Sequence, residues 1–171
     1  MSKVTKKKYE NAILYLCNAV GGSLYGKKKL AKLLYYVDFD RYEFNESEKS
    51  ITGDTYKAWK MGPVPQTFSE IIDGMQKEGL LAVEEKEQSA GYLPTSVYSA
   101  IKKPDLSVFD DDDLKILQHV AVKYGRLTGK QLEDLTHAEA PYIGTRPNDE
   151  IIYELAFYRG TDFSDVVAAT R

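Results

Sequence analysis

Apolar positions recur at helical spacing over the first quarter of the chain. Tyr9, Ala12, Ile13, Leu16, Cys17 and Val20 share one face of a helix over about residues 9–20, which Gly21-Gly22 ends. A second helix is expected over about 28–44. Its stripe is Leu30, Leu33, Leu34, Val37 and Phe44, widened by Tyr35, Tyr36 and Tyr42, and the polar run 45–49 closes it. The period then changes. Residues 54–60 alternate, with Tyr56 and Ala58 on one face and Thr55, Lys57 and Trp59 on the other, which predicts a short strand between the turns Thr52-Gly53-Asp54 and Gly62-Pro63.

A third helix is expected to bury Phe68, Ile71, Ile72 and Met75 and to end at Gly79. Pro65 suits its first position, and Thr67 with Glu70 offers a competing start as a capping box. Residues 80–87 and 95–101 read as two strands of a hairpin whose loop is 88–93. Asp110–Asp113 favours the positive end of a helix carrying Leu114, Leu117, Val120, Ala121 and Tyr124. Thr128 and Gln131 form a capping box for a short helix with Leu132 and Leu135. Residues 136–147 read as loop, 151–158 as helix or strand, and the stretch after Gly160 has a weak helical pattern. The expected fold class is therefore α+β and mostly helical: one domain with a short strand and a β-hairpin, in winged-helix-like element order. A flexible basic segment, 1–8, precedes a domain over 9–160, and a tail, 161–171, follows.

Composition narrows the function. The chain has 171 residues, 43% hydrophobic and 29% charged, as in an ordinary globular domain. One cysteine, Cys17, allows no internal disulfide and suits a reducing, cytoplasmic setting. No run approaches the apolar length of a membrane span. The net charge is −3, unevenly spread: residues 1–32 carry eight lysines against Glu10 alone, +7, so the remainder carries −10. Solubility explains that basic end more simply than a binding patch does.

Familiar catalytic chemistry is missing. Gly53 and Gly62 lack Walker spacing, and Pro63 and Pro65 remove amides that a phosphate cradle would use. His119 falls off its helix's apolar stripe and reads as a solvated residue. His137-Ala138-Glu139 lacks a third metal ligand at useful spacing. Asp38 and Asp40, two apart on a helix, diverge and do not share a cation. Cys17 lies on a buried stripe, where a thiol is inert. A DNA-reading winged helix would need a basic third helix and wing. The third helix instead carries Glu70, Asp73 and Glu78 against Lys77, and the hairpin Glu84, Glu85 and Glu87 against Lys86. A DNA-binding transcriptional regulator is thus the weaker alternative, and nucleic acid is not an expected partner.

Three stretches carry a resemblance: Lys32-Leu33-Leu34-Tyr35-Tyr36-Val37-Asp38, then Ser50-Ile51-Thr52-Gly53-Asp54, then Ala58-Trp59-Lys60-Met61-Gly62-Pro63-Val64-Pro65. With Leu135-Thr136-His137, Pro141-Tyr142 and Ile151-Ile152-Tyr153, they resemble the Panacea domain of the SocA-like antitoxins of bacteria and phages. Two positions depart from the family pattern: Tyr142 stands where Trp is frequent, and Asp40-Arg41 where His is. The resemblance implies a non-enzymatic, cofactor-free cytoplasmic antitoxin that neutralises a toxin encoded by a neighbouring gene through direct protein binding. One branch of the family is understood to act as a proteolytic adaptor to a Clp-type protease. The candidate toxin-binding residues are Asp38, Tyr42, Asp54, Lys57, Trp59, Lys60, Pro63 and Pro65, with His137 nearby. Trp59 is either core beneath the turn or a contact residue beside it. Its size favours core, whereas a rigid turn bearing an aromatic suits an interface.

Overall fold

The computed structural model describes residues 4–87 and 93–169, with side chains up to residue 166. Helices α1 (Lys6–Ala19) and α2 (Lys27–Glu43) flank a three-residue strand, β1 (Ser23–Tyr25). A 3-10 turn, Phe44–Glu46, follows α2. Strands β2 (Tyr56–Trp59) and β3 (Gly62–Pro65) form a tight hairpin before α3 (Phe68–Lys77). Strands β4 (Leu81–Lys86) and β5 (Thr95–Ala100) precede α4 (Asp111–Tyr124), α5 (Gly129–His137) and the single turn α6 (Ala140–Ile143). Strand β6 (Glu150–Ile151), a 3-10 helix over Tyr153–Tyr158 and α7 (Ser164–Ala169) complete the chain. The architecture is α+β and mostly helical.

Two antiparallel sheets form, ordered β1-β5-β4 and β3-β2-β6. The first joins the hairpin to β1 with Ser23 opposite Ser99, so the strand order follows that of a winged unit. Glu70 and Asp73 lie on the exposed face of α3, and exposed Glu78 follows its last residue. The predicted hairpin loop lies outside the described residues except for Leu93.

Helix α2 is the central element. Leu30, Leu33, Leu34, Val37 and Phe39 are buried, and so are polar Lys32, Asp38, Asp40 and Arg41. A helix buried on every side must pair its polar groups inside the protein. Three lysines of the basic end are also paired, two of them partly buried. Lys6 pairs with Glu78, Lys8 with Asp113 and Lys28 with Glu133. Burial pushes the Cys17 thiol up to about 12, which keeps it unreactive.

Several expectations need correction. Pro65 does not open α3; it ends β3, opposite Tyr56. Gly62-Pro63 is strand, and the turn falls at Lys60-Met61. Thr67 makes no capping box, because its hydroxyl donates to Asp54 instead. His119 is 2% exposed, because α7 and the carboxylates of Asp40 and Asp165 cover the second side of α4. The capping box at Thr128–Gln131 forms as expected, and a second forms between Asp110 and Asp113.

Candidate functional site

The candidate residues are brought together by the segment between α2 and α3. Asp38 is fully buried and braces this segment from below. Its Oδ1 accepts from the amides of Ile51 and Thr52 at 2.9 and 2.8 Å, and its Oδ2 from the hydroxyls of Thr52 and Tyr56, the latter at 2.6 Å. Burial raises its carboxyl to about 6 despite those bonds. Asp54 is the second brace. It accepts from the Tyr9 hydroxyl at 2.7 Å and from the amide and hydroxyl of Thr67, while its own carbonyl accepts from Tyr153. Both aspartates face inward, so their direct role is to hold backbone. Asp38 diverges from Asp40, two residues on, as the helical spacing requires: Asp40 turns to Arg159, 2.6 Å away.

Above these braces the β2–β3 hairpin projects. Tyr56 and Ala58 are buried and Trp59 is 45% exposed, as the alternation of the strand demands. The preference for Trp59 as core is thereby corrected: size argued for burial, but the strand's phase decided. Lys60 and Met61 form the two-residue turn, and Met61 is 55% exposed. Gly62, at φ +110°, lies against Lys32, where an added Cβ would stand 2.7 Å from the Lys32 side chain. Pro63 and Pro65 are buried, and Lys57 is partly exposed.

Helices α5 and α6 hold the hairpin from the side. The Tyr142 hydroxyl donates to the Trp59 carbonyl at 2.7 Å. The ring of His137 packs 4.4 Å from that of Tyr142, with Nε2 buried and unpaired. Tyr142, where the family often has Trp, thus finds a local partner for its hydroxyl. Tyr42 lies one step further along α2, stacked on Tyr153 and donating to Glu154 at 2.7 Å. Burial and the Glu154 carboxylate raise its hydroxyl to about 12.

Further apolar side chains are exposed on α5, α6 and the last 3-10 helix. Ile143 sits beside Tyr142 on α6, Leu135 is on α5, and Ile152, Phe157 and Tyr158 lie on or beside the last 3-10 helix. The segments carrying them pack on one another. Sequence reading did not select Met61 as a contact residue, although it stands inside the quoted motif. It also gave no signal for Ile143, Tyr158 or Arg159, whose neighbours come from distant segments. Among the described residues, no group of three or more His, Cys, Asp or Glu is set to hold a metal.

A family profile described as antitoxin SocA-like, Panacea domain, matches residues 30–142, more than half of the chain. The chain belongs to the SocA-like antitoxin family. No curated protein and no solved structure matches it. The Panacea match runs from the start of the buried stripe of α2 to Tyr142, so it encloses the aspartate braces, the Trp59 hairpin and its α5–α6 support. Arg159 and the segment around it lie beyond the match. Among the described residues, no helix of this Panacea protein is long and apolar enough to cross a membrane.

Proposed function

We propose that the chain neutralises a protein toxin by binding it directly, through the face built from the β2–β3 turn, α5, α6 and the 3-10 helix. The observation that carries this reading is the exposure of Trp59 and Met61 on a hairpin held rigid from beneath and from the side. A large aromatic and a methionine on a pre-organised turn bury area on binding with little loss of conformational freedom. Membership of the antitoxin family supports a protein as the partner. In this reading Trp59, Lys60 and Met61 touch the toxin, with Lys57 beside them. Asp38, Asp54, Pro63, Pro65, His137 and Tyr42 set their position.

The test is co-expression with the product of the adjacent toxin gene, scoring growth and co-purification together. Rescue with a stable complex is expected. Rescue accompanied by loss of the toxin would point instead to delivery to a Clp-type protease. Absence of rescue would contradict the reading.

A further inference from the structure

Arg159 enters a nest of carboxylates with too little positive charge. Its side chain is 3% exposed and contacts Asp40 Oδ1 at 2.6 Å, Glu43 Oε1 at 2.7 Å and Glu139 Oε1 at 3.3 Å. Three acids thus meet one guanidinium. His119 faces the other oxygen of Asp40 at 3.4 Å, but Asp165 lies against its second nitrogen and balances it. Buried carboxylates short of cations are costly, and a further cation offsets that cost. Burial raises the Glu139 carboxyl above the usual carboxylate range, against the pull of Arg159.

Glu139 is the most open member of the nest, ahead of Glu43, which is 10% exposed and lines a separate open cavity with Phe157 and Phe163. The Glu139 side chain is 22% exposed, whereas that of Asp40 is closed to solvent. It lines an open cavity of about 360 Å3 between the end of α4, the α5–α6 junction and residues 158–162. A carboxylate offers about four acceptor positions. Tyr35, Tyr36 and Arg159 fill three of them, which leaves one. The rings of Tyr36 and Tyr124, stacked at 3.9 Å, contribute aromatic lining. Leu135 and the exposed Tyr158 add apolar surface, and Asp162 a second carboxylate. Lys123 also lines the cavity; among the described residues it forms no ion pair, and its ammonium lies over the ring of Tyr124, 5.3 Å from the centroid.

We propose that this cavity receives an arginine side chain of the bound toxin. An arginine stem fits the apolar lining, its plane stacks on the exposed ring of Tyr158, and its fork has donors for the free position on Glu139 and for Asp162. The cavity is continuous with the proposed binding face, because α5 and α6 build both. The inference rests on the toxin-binding reading and adds the chemistry of one contact.

The test uses the full chain, labelled with nitrogen-15 and titrated with N-acetyl-arginine methylamide, then with the norleucine and glutamate analogues. Saturable shifts at residues 135–140 and 158–162 are expected with the arginine probe alone. Glu139→Gln should weaken its binding at least fivefold. Because Glu139 also holds Arg159, Tyr158→Ala, at an exposed position, provides a second variant that keeps the fold, and it should also weaken the probe. Shifts of equal size with norleucine, no saturation, or no change in either variant would overturn the proposal. Toxin that co-purifies normally while the probe fails to bind would overturn the arginine contact and leave the toxin-binding reading standing. Probe binding without any toxin complex would overturn the proposed occupant together with that reading.

Discussion

The ammonium of Lys32, buried in the middle of the protein, donates to the carbonyl of Pro63 at 2.9 Å. This bond ties the most buried helix to the hairpin that carries Trp59. Gly62 makes the tie possible, since only glycine accepts φ +110° so close to the lysine stem. Gly62→Ala should therefore cost ~1–3 kcal/mol of stability through backbone strain and crowding. Urea unfolding measures the loss. Emission from Trp59, the only tryptophan, should change in the folded variant as the turn shifts.

Lys32 also predicts a pH dependence. Burial lowers its amine from 10.5 to about 8. Between those values the unfolded chain binds more protons than the folded one, so this residue's contribution to stability rises with pH across that window. The total effect is up to about 3 kcal/mol. Urea midpoints at pH 7.5 and 10 should show the rise in the native chain and a smaller one in Lys32→Met.

Arg159 should be worth more to the fold than any surface cation. Its removal leaves Glu43 enclosed without its cation and Asp40 with His119 alone, and Arg159→Met should cost ~3–5 kcal/mol. Arg159→Lys should recover only part, because an ammonium lacks the fork that reaches several carboxylates at once. Thermal unfolding of the two variants gives the comparison.

His119 carries a second titration, opposite in sign. Burial alone would lower its imidazole, but Asp40 and Asp165 outweigh burial and raise it above 6.5. Its contribution is therefore complete below about pH 6.5 and is lost as pH rises through the folded value. Stability should fall as pH rises above about 6.5, and His119→Asn should flatten that fall. An equal slope in both proteins would count against the His119 contacts with Asp40 and Asp165.

Periodicity made most of the fold legible. The buried stripes of α1 and α3, the alternation in β2 and the cap at Thr128 are local signals, whereas α2 proved buried on every side and the stripe expected for α4 left out fully buried Ile116. Pieces set by distant partners were not legible. Strand β1 is too short to show a period and exists because β5 pairs with it. The 136–147 stretch, expected as loop, contains α6, held by tertiary packing beside the last 3-10 helix. The 151–158 ambiguity resolved into both forms, a short strand followed by 3-10 helix. His119 looked solvated because α7, which covers it, arrives 46 residues later. At the site, the quoted motifs located the hairpin and its braces. They did not separate inward Asp38 and Asp54 from outward Trp59, since sequence marks both kinds of residue alike. The strand phase did mark Trp59 as outward, and its size argued the other way.

The central claim is that Trp59 and Met61 bind a toxin and do not serve the fold. The direct measurement is the affinity of Trp59→Ala for the cognate toxin by calorimetry, beside its urea midpoint. The expected result is an affinity at least 30-fold weaker, a loss of ~2 kcal/mol or more, with stability within about 0.5 kcal/mol of the native chain. Unchanged affinity would contradict the claim, and so would a large loss of stability that accounts for the weaker binding.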